Sequence, residues 1–302
     1  MKSDQIFDVI IIGGSYSGLS AAMTLGRSQR KTLIIDNGFA CNTVTSFSHN
    51  FLTQDGHKIN DIADIAKKQV LNYPDIHLID DKAVNGERSM SHFVITTAKG
   101  NIYKAKKMIF ATGIKDLLPD IKGLEECWGT SVVHCPYCHG YELRNRKTAI
   151  WCDGNEAFNM AALIKNMASD LIMITNNKND FTQHQLEKLR KNNVEIMEST
   201  IVEFLYDHSQ LNGVLLADGR QIHLEVVYTS VPFTQHSDLP LLLGCTMTDH
   251  GLIEVNDYQQ TNIPGVYACG DNSAAMRTIS KAVYTGNLAG AMVNKELAEE
   301  SF

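Results

Sequence analysis

The chain of 302 residues is longer than one compact core usually holds, so its length favours two domains. A net charge of -7 provides no basic surface for nucleic acid and no polybasic patch for an anionic membrane, so we expect neither partner. The start lacks the features of a secretory signal, no run approaches the roughly 20 apolar residues of a membrane helix, and seven scattered cysteines form no secreted disulfide framework. These features predict a globular, cytoplasmic protein.

The chain opens with a strand, a glycine-rich turn, a helix and a second strand. The apolar run FDVIII precedes the turn GGSYSG, and the strand TLIID ends in Asp36. Because Gly13, Gly14 and Gly18 have no side chains, such a turn lets backbone N–H groups and a helix N-terminus approach a pyrophosphate. Ser15 stands where the usual pattern has glycine, but it is small and can donate a hydrogen bond. Asp36 is placed to accept from a ribose hydroxyl, although the turn alone also fits glycines that only let a helix pack closely.

Strand and helix patterns continue to alternate, which favours an α/β fold with parallel sheets covered by helices. The segments HFVITTA and NIYKAKKMIFATG are rich in β-forming residues, and a polar stretch follows at residues 115–126. From Lys147, the segment KTAIWCDGNEAFNMAALIKNMASDLIMIT repeats the opening order of strand, turn, helix and strand. After LPLLLGC, the segments GLIEVND and GVYACGD predict short strands, and residues 278–300 predict the closing helix.

A domain that is inserted into another domain of the same type explains this order. We expect an α/β protein with two dinucleotide-binding, Rossmann-like domains of three layers. The first is discontinuous, over residues 1–115 and 246–302, and the central one covers residues 116–245 and carries a CxxC motif.

That motif lies in the stretch HCPYCHGYE, which begins at His134. A pair of cysteines two residues apart at the start of a helix suits disulfide exchange, because helix N–H groups stabilise a thiolate and the second sulfur is within bridging distance. Two cysteines and two histidines are also zinc ligands, but structural zinc usually takes its second ligand pair from a separate segment. From these residues alone, a redox dithiol, a metal site and an inert helix start all remain open.

The motifs GGSYSG, ATG at Ala111, CPYC and GVYACGD occur in this order over nearly the whole chain. In this respect the sequence resembles the low-molecular-weight thioredoxin reductase family of FAD-dependent disulfide oxidoreductases. Within it, the segments CNTVTSFSHNFLTQDG and ATGIKDLLPDIKGLEECWGTSVVHCPYCHGYE look most like a branch of fungal dithiol oxidases of the gliotoxin oxidase type and their bacterial relatives. The resemblance implies a homodimer and FAD bound by Gly13, Gly14, Ser15, Gly18, Asp36, Asn42, His49, Asp55, Val84, Ala111, Thr112, Gly113, Gly270, Asp271 and Ala282.

The resemblance also implies the roles of the catalytic residues. Cys138 exchanges electrons with the flavin, and Cys135 attacks or is attacked by the partner sulfur. His139 stands where the reductases commonly carry an acidic residue, and an imidazole there is expected to act as general acid and base near neutral pH. His134 either lowers the pKa of the first sulfur or caps the local backbone. The five other cysteines are expected to be small buried hydrophobes, and no metal site is expected.

The predicted site for the electron donor departs from the family pattern. NADPH-dependent members carry a second glycine-rich loop and a basic cluster after the next strand, whereas this chain has WCDGNEAF and TNNKNDF. Only Gly154 is retained in the turn, Asp153 adds negative charge beside it, and Lys178 is the single cation that could bind a phosphate. We therefore expect NADPH affinity to be reduced or lost, although backbone contacts could still bind it.

Three functions follow from these expectations. The first is an FAD-dependent thiol/disulfide oxidoreductase that passes electrons between flavin, Cys135 and Cys138, and a small disulfide, a small dithiol or a thioredoxin-like protein. The second uses the same site to oxidise a dithiol with oxygen, giving peroxide without NADPH. The third is a redox-sensing flavoprotein without turnover.

Overall fold

A computed structural model describes residues 6–40, 44–176 and 180–302. Contacts between its residues divide the chain into two compact units. Unit 1 contains the described residues of Met1–Thr43, Lys58–Lys115 and Phe233–Phe302, and unit 2 contains those of Val44–His57 and Asp116–Pro232.

In the first half of the chain, the described residues form nine strands and two helices. In chain order these are β1 (Ile6–Ile12), α1 (Tyr16–Arg27), β2 (Thr32–Asp36), β3 (Phe47–Ser48), β4 (His57–Lys58), α2 (Ile59–Leu71), β5 (Ile76–Asp80), β6 (Ala83–Arg88), β7 (Phe93–Thr97), β8 (Ile102–Phe110) and β9 (Ile114–Asp116).

The remaining elements begin with a single helical turn before the redox motif. They are α3 (Leu124–Cys127), β10 (Val132–Val133), α4 (Pro136–His139), β11 (Lys147–Trp151), α5 (Gly154–Ile164), β12 (Asp170–Thr175), α6 (Gln183–Lys191), β13 (Glu195–Glu198), β14 (Ile201–Asp207), β15 (Gln210–Leu216), β16 (Gln221–Ile222), β17 (Val226–Thr229), β18 (Phe233–Gln235), α7 (Leu239–Leu242), β19 (Val266–Ala268) and α8 (Ile279–Ser301).

Unit 1 is built on a seven-stranded sheet in which β5, β2, β1, β8 and β19 are parallel, and β7 and β6 extend it in antiparallel fashion. Ile12 at the end of β1 pairs with Ile35 on one side and Phe110 on the other, and Phe110 also pairs with Ala268. The carboxyl ends of these four strands therefore lie at one edge, where ligands bind in open α/β sheets.

Both faces of this sheet are covered, which explains the continuous apolar run of β1. One face, with Ile10 and Leu33, packs on residues of β7 and the segment after β18, and the other, with Val9 and Ile11, packs on α1 and α8. Helices α1 and α8 approach closely because Gly286 has no side chain: an added Cβ would lie 2.1 Å from the carbonyl oxygen of Ser17.

Unit 2 repeats the same plan. Its parallel sheet has the order β13, β12, β11, β17, β10, and the first four of these strands match β5, β2, β1 and β8 of unit 1. The strands β14, β15 and β16 form a separate antiparallel sheet. The predicted α/β fold with two Rossmann-like halves is confirmed, and so is the internal repeat that starts at Lys147.

Three details differ from the sequence-based expectations. The prediction of a strand in GLIEVND is wrong, because this segment forms only an isolated bridge between Met247 and Ile253. Residues 233–245, predicted for the central domain, cluster with unit 1, since β18 pairs with β9 where the chain leaves that unit. In addition, residues 44–57 cluster with unit 2. Over the described ranges, no helix is both long and apolar enough to cross a membrane.

Gly123 fixes the segment that leads to the redox motif. Its φ is 83°, and an added Cβ would lie 2.1 Å from the carbonyl oxygen of Phe204. We expect Gly123→Ala to lower the free energy of unfolding by about 2 to 4 kcal/mol, because it combines left-handed backbone strain with a backbone clash. Gly219→Ala is the matched control, since Gly219 has a φ of 88° but no atom within 4 Å of an added Cβ. Urea unfolding measures both, and equal losses would contradict the role of the clash.

Candidate functional site

The glycine-rich turn of unit 1 is held against the ends of β2 and β8. The N–H of Gly13 donates to Ile35, and the N–H of Gly14 donates to the carboxylate of Asp36 at 3.1 Å. Gly13 has a φ of 107°, and an added Cβ there would lie 2.2 Å from the carbonyl oxygen of Ala111. The backbone of the turn thus needs glycine, and the carboxylate of Asp36 lies directly at it.

The segments after β8 and β19 meet at the same edge through Asn272, which is fully buried. Its amide donates to the carbonyl of Phe110 at 2.9 Å and to the hydroxyl of Thr112 at 3.1 Å. Gln235 in turn donates to the carbonyl of Asn272 at 3.0 Å. The side-chain oxygens of Asn272 and Gln235 are buried and accept no hydrogen bond from the described residues. A ligand with polar groups would satisfy them.

The N-terminal part of α8 is bonded to the turn after β19. The N–H of Gly270 donates to the hydroxyl of Thr285 at 3.0 Å, and that hydroxyl also lies 3.3 Å from the carbonyl oxygen of Ala282. Asp271 follows Gly270, and its carboxylate lies 3.9 Å from the guanidinium of Arg277. The turn after β19 and the start of α8 are thereby fixed to each other.

These features fit FAD. The carboxyl ends of the strands bring together the glycine turn at Gly13, the acidic end of β2, the ATG segment and the turn at Gly270. The side-chain oxygens of Asn272 and Gln235, which accept no hydrogen bond from the described residues, lie at the same edge. Gly113 has a φ of 64° with open space where a Cβ would be, whereas Gly18 is packed against Gly13.

The other residues predicted to bind FAD are distributed differently. Ser15 is the N-cap of α1, Val84 lies on β6 and is 45% exposed, and Asn42 lies outside the described residues. His49 and Asp55 belong to unit 2.

The redox motif of unit 2 lies on α4, which is a single turn. Cys135 is its N-cap and is joined to Cys138 by a disulfide, with Cα atoms 5.3 Å apart. The N–H of Cys138 donates to the sulfur of Cys135 at 3.1 Å. So short a helix has little macrodipole, and this one N–H is the local group that stabilises negative charge on Cys135. Both cysteines are partly exposed and Tyr137 between them is 60% exposed, so an external sulfur can reach the pair.

His139 follows the disulfide and is partly buried. Desolvation, and secondly the charge of His49, lower the pKa of His139 to about 4. The expectation that this histidine titrates near neutral pH is therefore wrong for the disulfide form, because the ring has lost much of the water that would stabilise its cation. At neutral pH the ring of the disulfide form is therefore uncharged.

Two neighbouring groups complete this cluster. His49 lies with its Nδ1 3.4 Å from a carboxylate oxygen of Glu142 and 3.9 Å from one of Asp55. The residue before the pair, His134, stacks on Trp128 with ring centroids 6.0 Å apart. The contacts of His49 place it beside the redox motif within unit 2.

In the turn after β11, which corresponds to the glycine turn of unit 1, the side chain of Asp153 is hydrogen-bonded to the segment after β12. Both carboxylate oxygens of Asp153 accept from Asn176, one from the backbone N–H at 2.8 Å and one from the amide at 3.3 Å. The indole of Trp151 donates to the same amide at 3.0 Å. Thr175, at the end of β12, is buried with a hydroxyl that bonds to no described residue. Lys178 lies outside the described residues.

The remaining described cysteines are free and buried, which confirms the expectation for isolated cysteines. Burial raises the pKa of Cys127 and Cys245, that of Cys152 to about 11 and that of Cys269 to about 12. Cys41 lies outside the described residues. Across the described parts of the chain, no group of three or more histidine, cysteine, aspartate or glutamate side chains is arranged to hold a metal ion.

Sequence reasoning missed three residues of these sites. Glu142 lies three residues after His139, a spacing that places both on one side of a helical turn and could have indicated the pair. Asn272 directly follows the GD motif, but its hydrogen bonds to Phe110 and Thr112 depend on the fold. Gln235 belongs to the connecting strand β18 and carries no sequence signal.

Comparison with known proteins agrees with this arrangement. The sequence profile of the pyridine nucleotide-disulphide oxidoreductase family matches residues 7–286. Thioredoxin reductase tcpT of Claviceps purpurea is 26% identical over 98% of this chain and 96% of that protein. The crystal structure of the oxidoreductase from Agrobacterium tumefaciens is 35% identical with a TM-score of 0.91, covering 97% of this chain and 99% of that one. The putative thioredoxin reductase TrxB from Bacillus anthracis is 27% identical with a TM-score of 0.92, covering 98% and 100%.

The fold and the site define a flavin disulfide oxidoreductase, an enzyme with FAD as cofactor and a redox-active cysteine pair. The chain belongs to the pyridine nucleotide-disulphide oxidoreductase family and is thioredoxin reductase-like.

The lowered pKa of His139 predicts how stability changes with pH. Because this pKa is about 4 in the folded disulfide form and 6.5 for an unperturbed histidine, the unfolded chain binds the proton first as pH falls. The free energy of unfolding that the neutral His139 contributes is therefore lost as pH falls from about 7 to about 4. His139→Gln should lose less stability over that range than the wild type, measured by urea unfolding. His184→Gln, at an exposed position on α6, should behave as the wild type. An equal loss in His139→Gln would contradict the assignment.

Proposed function

We propose that this enzyme exchanges an electron pair between FAD and an external thiol or disulfide through Cys135 and Cys138. The observation that carries the proposal is the partly exposed disulfide on α4, with the neutral ring of His139 immediately after it. FAD, when bound at the carboxyl edge of the sheet in unit 1, supplies the two-electron chemistry that cysteine and histidine side chains lack.

The residues of unit 2 carry out the exchange of sulfur partners. In the oxidising direction, a substrate thiol gives its proton to His139 and attacks the sulfur of Cys135. The bond from Cys135 to Cys138 breaks, and the electron pair of that bond remains on Cys138 as a thiolate. The second substrate thiol then loses its proton to water, and its sulfur attacks the first substrate sulfur in the mixed disulfide, which releases the oxidised substrate and leaves Cys135 as a thiolate. The N–H of Cys138 donates to that sulfur and stabilises its charge.

The substrate is a thiol or a disulfide. Small dithiols, small disulfides and thioredoxin-like proteins all fit this chemistry, and a homodimer in the cytoplasm remains our expectation. The names of the relatives support a disulfide substrate, since tcpT and the Bacillus anthracis protein are both described as thioredoxin reductases.

Substitution of the cysteines tests the proposed relay. Cys138→Ser should bind FAD but lose flavin-coupled turnover by at least about two orders of magnitude, because no disulfide can form. Cys135→Ser should lose exchange with external thiols to a similar extent. Cys245→Ala removes a buried free thiol of unit 1 and should keep turnover. Absorbance of the bound flavin and steady-state rates measure these effects. Full turnover in both serine variants would show that the assigned chemistry is wrong.

A second function, oxygen-dependent oxidation of a dithiol, is supported by the turn of unit 2. The carboxylate of Asp153, held by Asn176, puts negative charge where a pyridine nucleotide would place its pyrophosphate. These described residues do not fit NADPH, the donor that is typical of the family. In the net reaction one dithiol loses two electrons and two protons to become a disulfide, and O₂ takes them up to become hydrogen peroxide.

Anaerobic titration of the yellow protein distinguishes the two directions. If the turn of unit 2 excludes nucleotides, NADPH and NADH should leave the flavin absorbance unchanged, whereas dithiothreitol should bleach it, and air should restore it with release of peroxide. Rapid bleaching by NADPH would contradict the oxidase function and favour a reductase. The absence of turnover with every donor would leave only a redox sensor and would overturn both.

A further inference from the structure

One side of the redox segment in unit 2 presents aromatic and positively charged side chains to solvent. From α4 onward the chain continues in helical turns, since the N–H of Leu143 donates to the carbonyl of His139 at 3.0 Å. Residues at i, i+4 and i+7 on such turns lie on one side. Tyr137, Tyr141 and Arg144 have this spacing, and all three are exposed, the two rings by 60% and 69%. We call these three residues the tyrosine–arginine stripe.

A neighbouring side of the same turns is packed within unit 2. Pro136, Gly140 and Leu143, each one position before a residue of the stripe, are buried. An added Cβ at Gly140 would lie 2.5 Å from the sulfur of Met167, and the N–H of Asn145 donates to the carbonyl of Met167 at 2.6 Å. This packing fixes the rotation of the segment, so the stripe is held outward.

The guanidinium of Arg144 is held over a ring of the stripe. It lies 3.9 Å from the centroid of the Tyr141 ring, and one of its N–H groups donates to the carbonyl of Tyr141. A guanidinium over the face of a ring keeps further N–H donors in its own plane, where they can bind an anion. Among the described residues Arg144 forms no ion pair, and the carboxylate of Glu142 is directed to His49, 3.4 Å from its Nδ1.

The stripe begins at the cysteine pair. Tyr137 lies between Cys135 and Cys138 in the chain, and the ring of Tyr141, which carries the guanidinium, follows Cys135 by about 9 Å along a helix. A thiol that attacks Cys135 therefore has exposed ring surface beside it and a positive charge roughly 10 Å away. A thiol compound with an apolar chain of that length and a carboxylate at its end matches both features.

We propose that the tyrosine–arginine stripe is the substrate-recognition surface of the redox site, and that it selects small organic dithiols with a carboxylate about 10 Å from the reacting sulfur. The apolar chain packs on the rings of Tyr137 and Tyr141, and Arg144 binds the carboxylate through paired N–H groups. The proposal rests on the proposed exchange at the cysteine pair and identifies its substrate class. The bond changes are those of that exchange: the dithiol gives two electrons to the disulfide of the pair, and its protons pass to His139 and to water.

Two dithiols that differ only in charge test the proposal. Dihydrolipoate and dihydrolipoamide have the same dithiol and the same chain, but only the first ends in a carboxylate. Reduction of the disulfide in the full-length, FAD-bound protein is followed without oxygen by rapid acid quench, alkylation and mass spectrometry of the pair. We expect a second-order rate constant about five to ten times larger for dihydrolipoate, as for one charge-assisted contact at an exposed position. Equal rate constants for the two compounds would overturn the proposal.

Substitution of the arginine tests the site itself. In Arg144→Gln the ratio of the two rate constants should fall to about one, because the carboxylate loses its partner. Arg144→Lys keeps the charge without the planar pair of donors, so its ratio should be intermediate. The matched control is Arg190→Gln, which removes an exposed arginine of α6 in the same unit and should keep the wild-type ratio. A wild-type ratio in Arg144→Gln, shown to be folded by circular dichroism, would overturn the proposal, and so would one in Arg144→Lys if the former does not fold.

Binding without reaction separates this proposal from the proposed function. Lipoate and lipoamide are disulfides and do not exchange with the oxidised pair, so saturation-transfer NMR reports their binding alone. Lipoate should give the stronger signal, and Arg144→Gln should remove the difference. If this holds while no thiol reduces the pair, the exchange is wrong and the recognition surface stands. If dithiothreitol reduces the pair but the two lipoyl dithiols react equally, or only a reduced thioredoxin reacts, the proposal for the stripe fails alone.

Discussion

The exchange that we propose depends on the surroundings of one imidazole beside the cysteine pair. His139 follows a disulfide that external sulfur can reach, and the protein around its ring removes the water that would stabilise its cation. The ring is therefore uncharged at neutral pH in the disulfide form, which is the stage at which, in the proposed exchange, a thiol loses its proton to attack. Reduction of the pair creates a thiolate that favours the protonated ring, so the same residue can return the proton in the opposite direction. One environment thus serves both directions of exchange.

The two units share a backbone plan and differ in how their first turns use a carboxylate. In unit 1 the carboxylate of Asp36 stands at the end of the second strand and accepts from Gly14, so the turn itself is lined by backbone groups. In unit 2 the carboxylate of Asp153 lies within the turn and is bound by Asn176. The carboxylate thus lies beside the turn in unit 1 and within the turn in unit 2. The first arrangement suits a pyrophosphate, and the second repels its negative charge. In the proposed oxidase function, electrons are supplied by thiols at the redox motif.

Much of the architecture followed from the sequence, because alternating apolar runs and glycine turns specify strands and helices locally. The strand-turn-helix repeat and the closing helix α8 are present where the pattern placed them. The segment GLIEVND misled because its apolar residues pack as a loop against the sheet without a partner strand. The site was harder to predict from the sequence. The contact of His49 with Glu142 joins residues almost a hundred positions apart, and the lowered pKa of His139 depends on packing that no local pattern contains.

The central claim is that the cysteine pair and the flavin form one connected redox system. An anaerobic titration with dithionite, followed by flavin absorbance and by thiol counting, measures how many electrons the protein takes up per flavin. A connected system should take up about four electrons per flavin, two for the disulfide and two for FAD, and the Cys138→Ser variant about two. An uptake of only about two electrons by the wild type, with the disulfide left intact after the flavin is reduced, would contradict it.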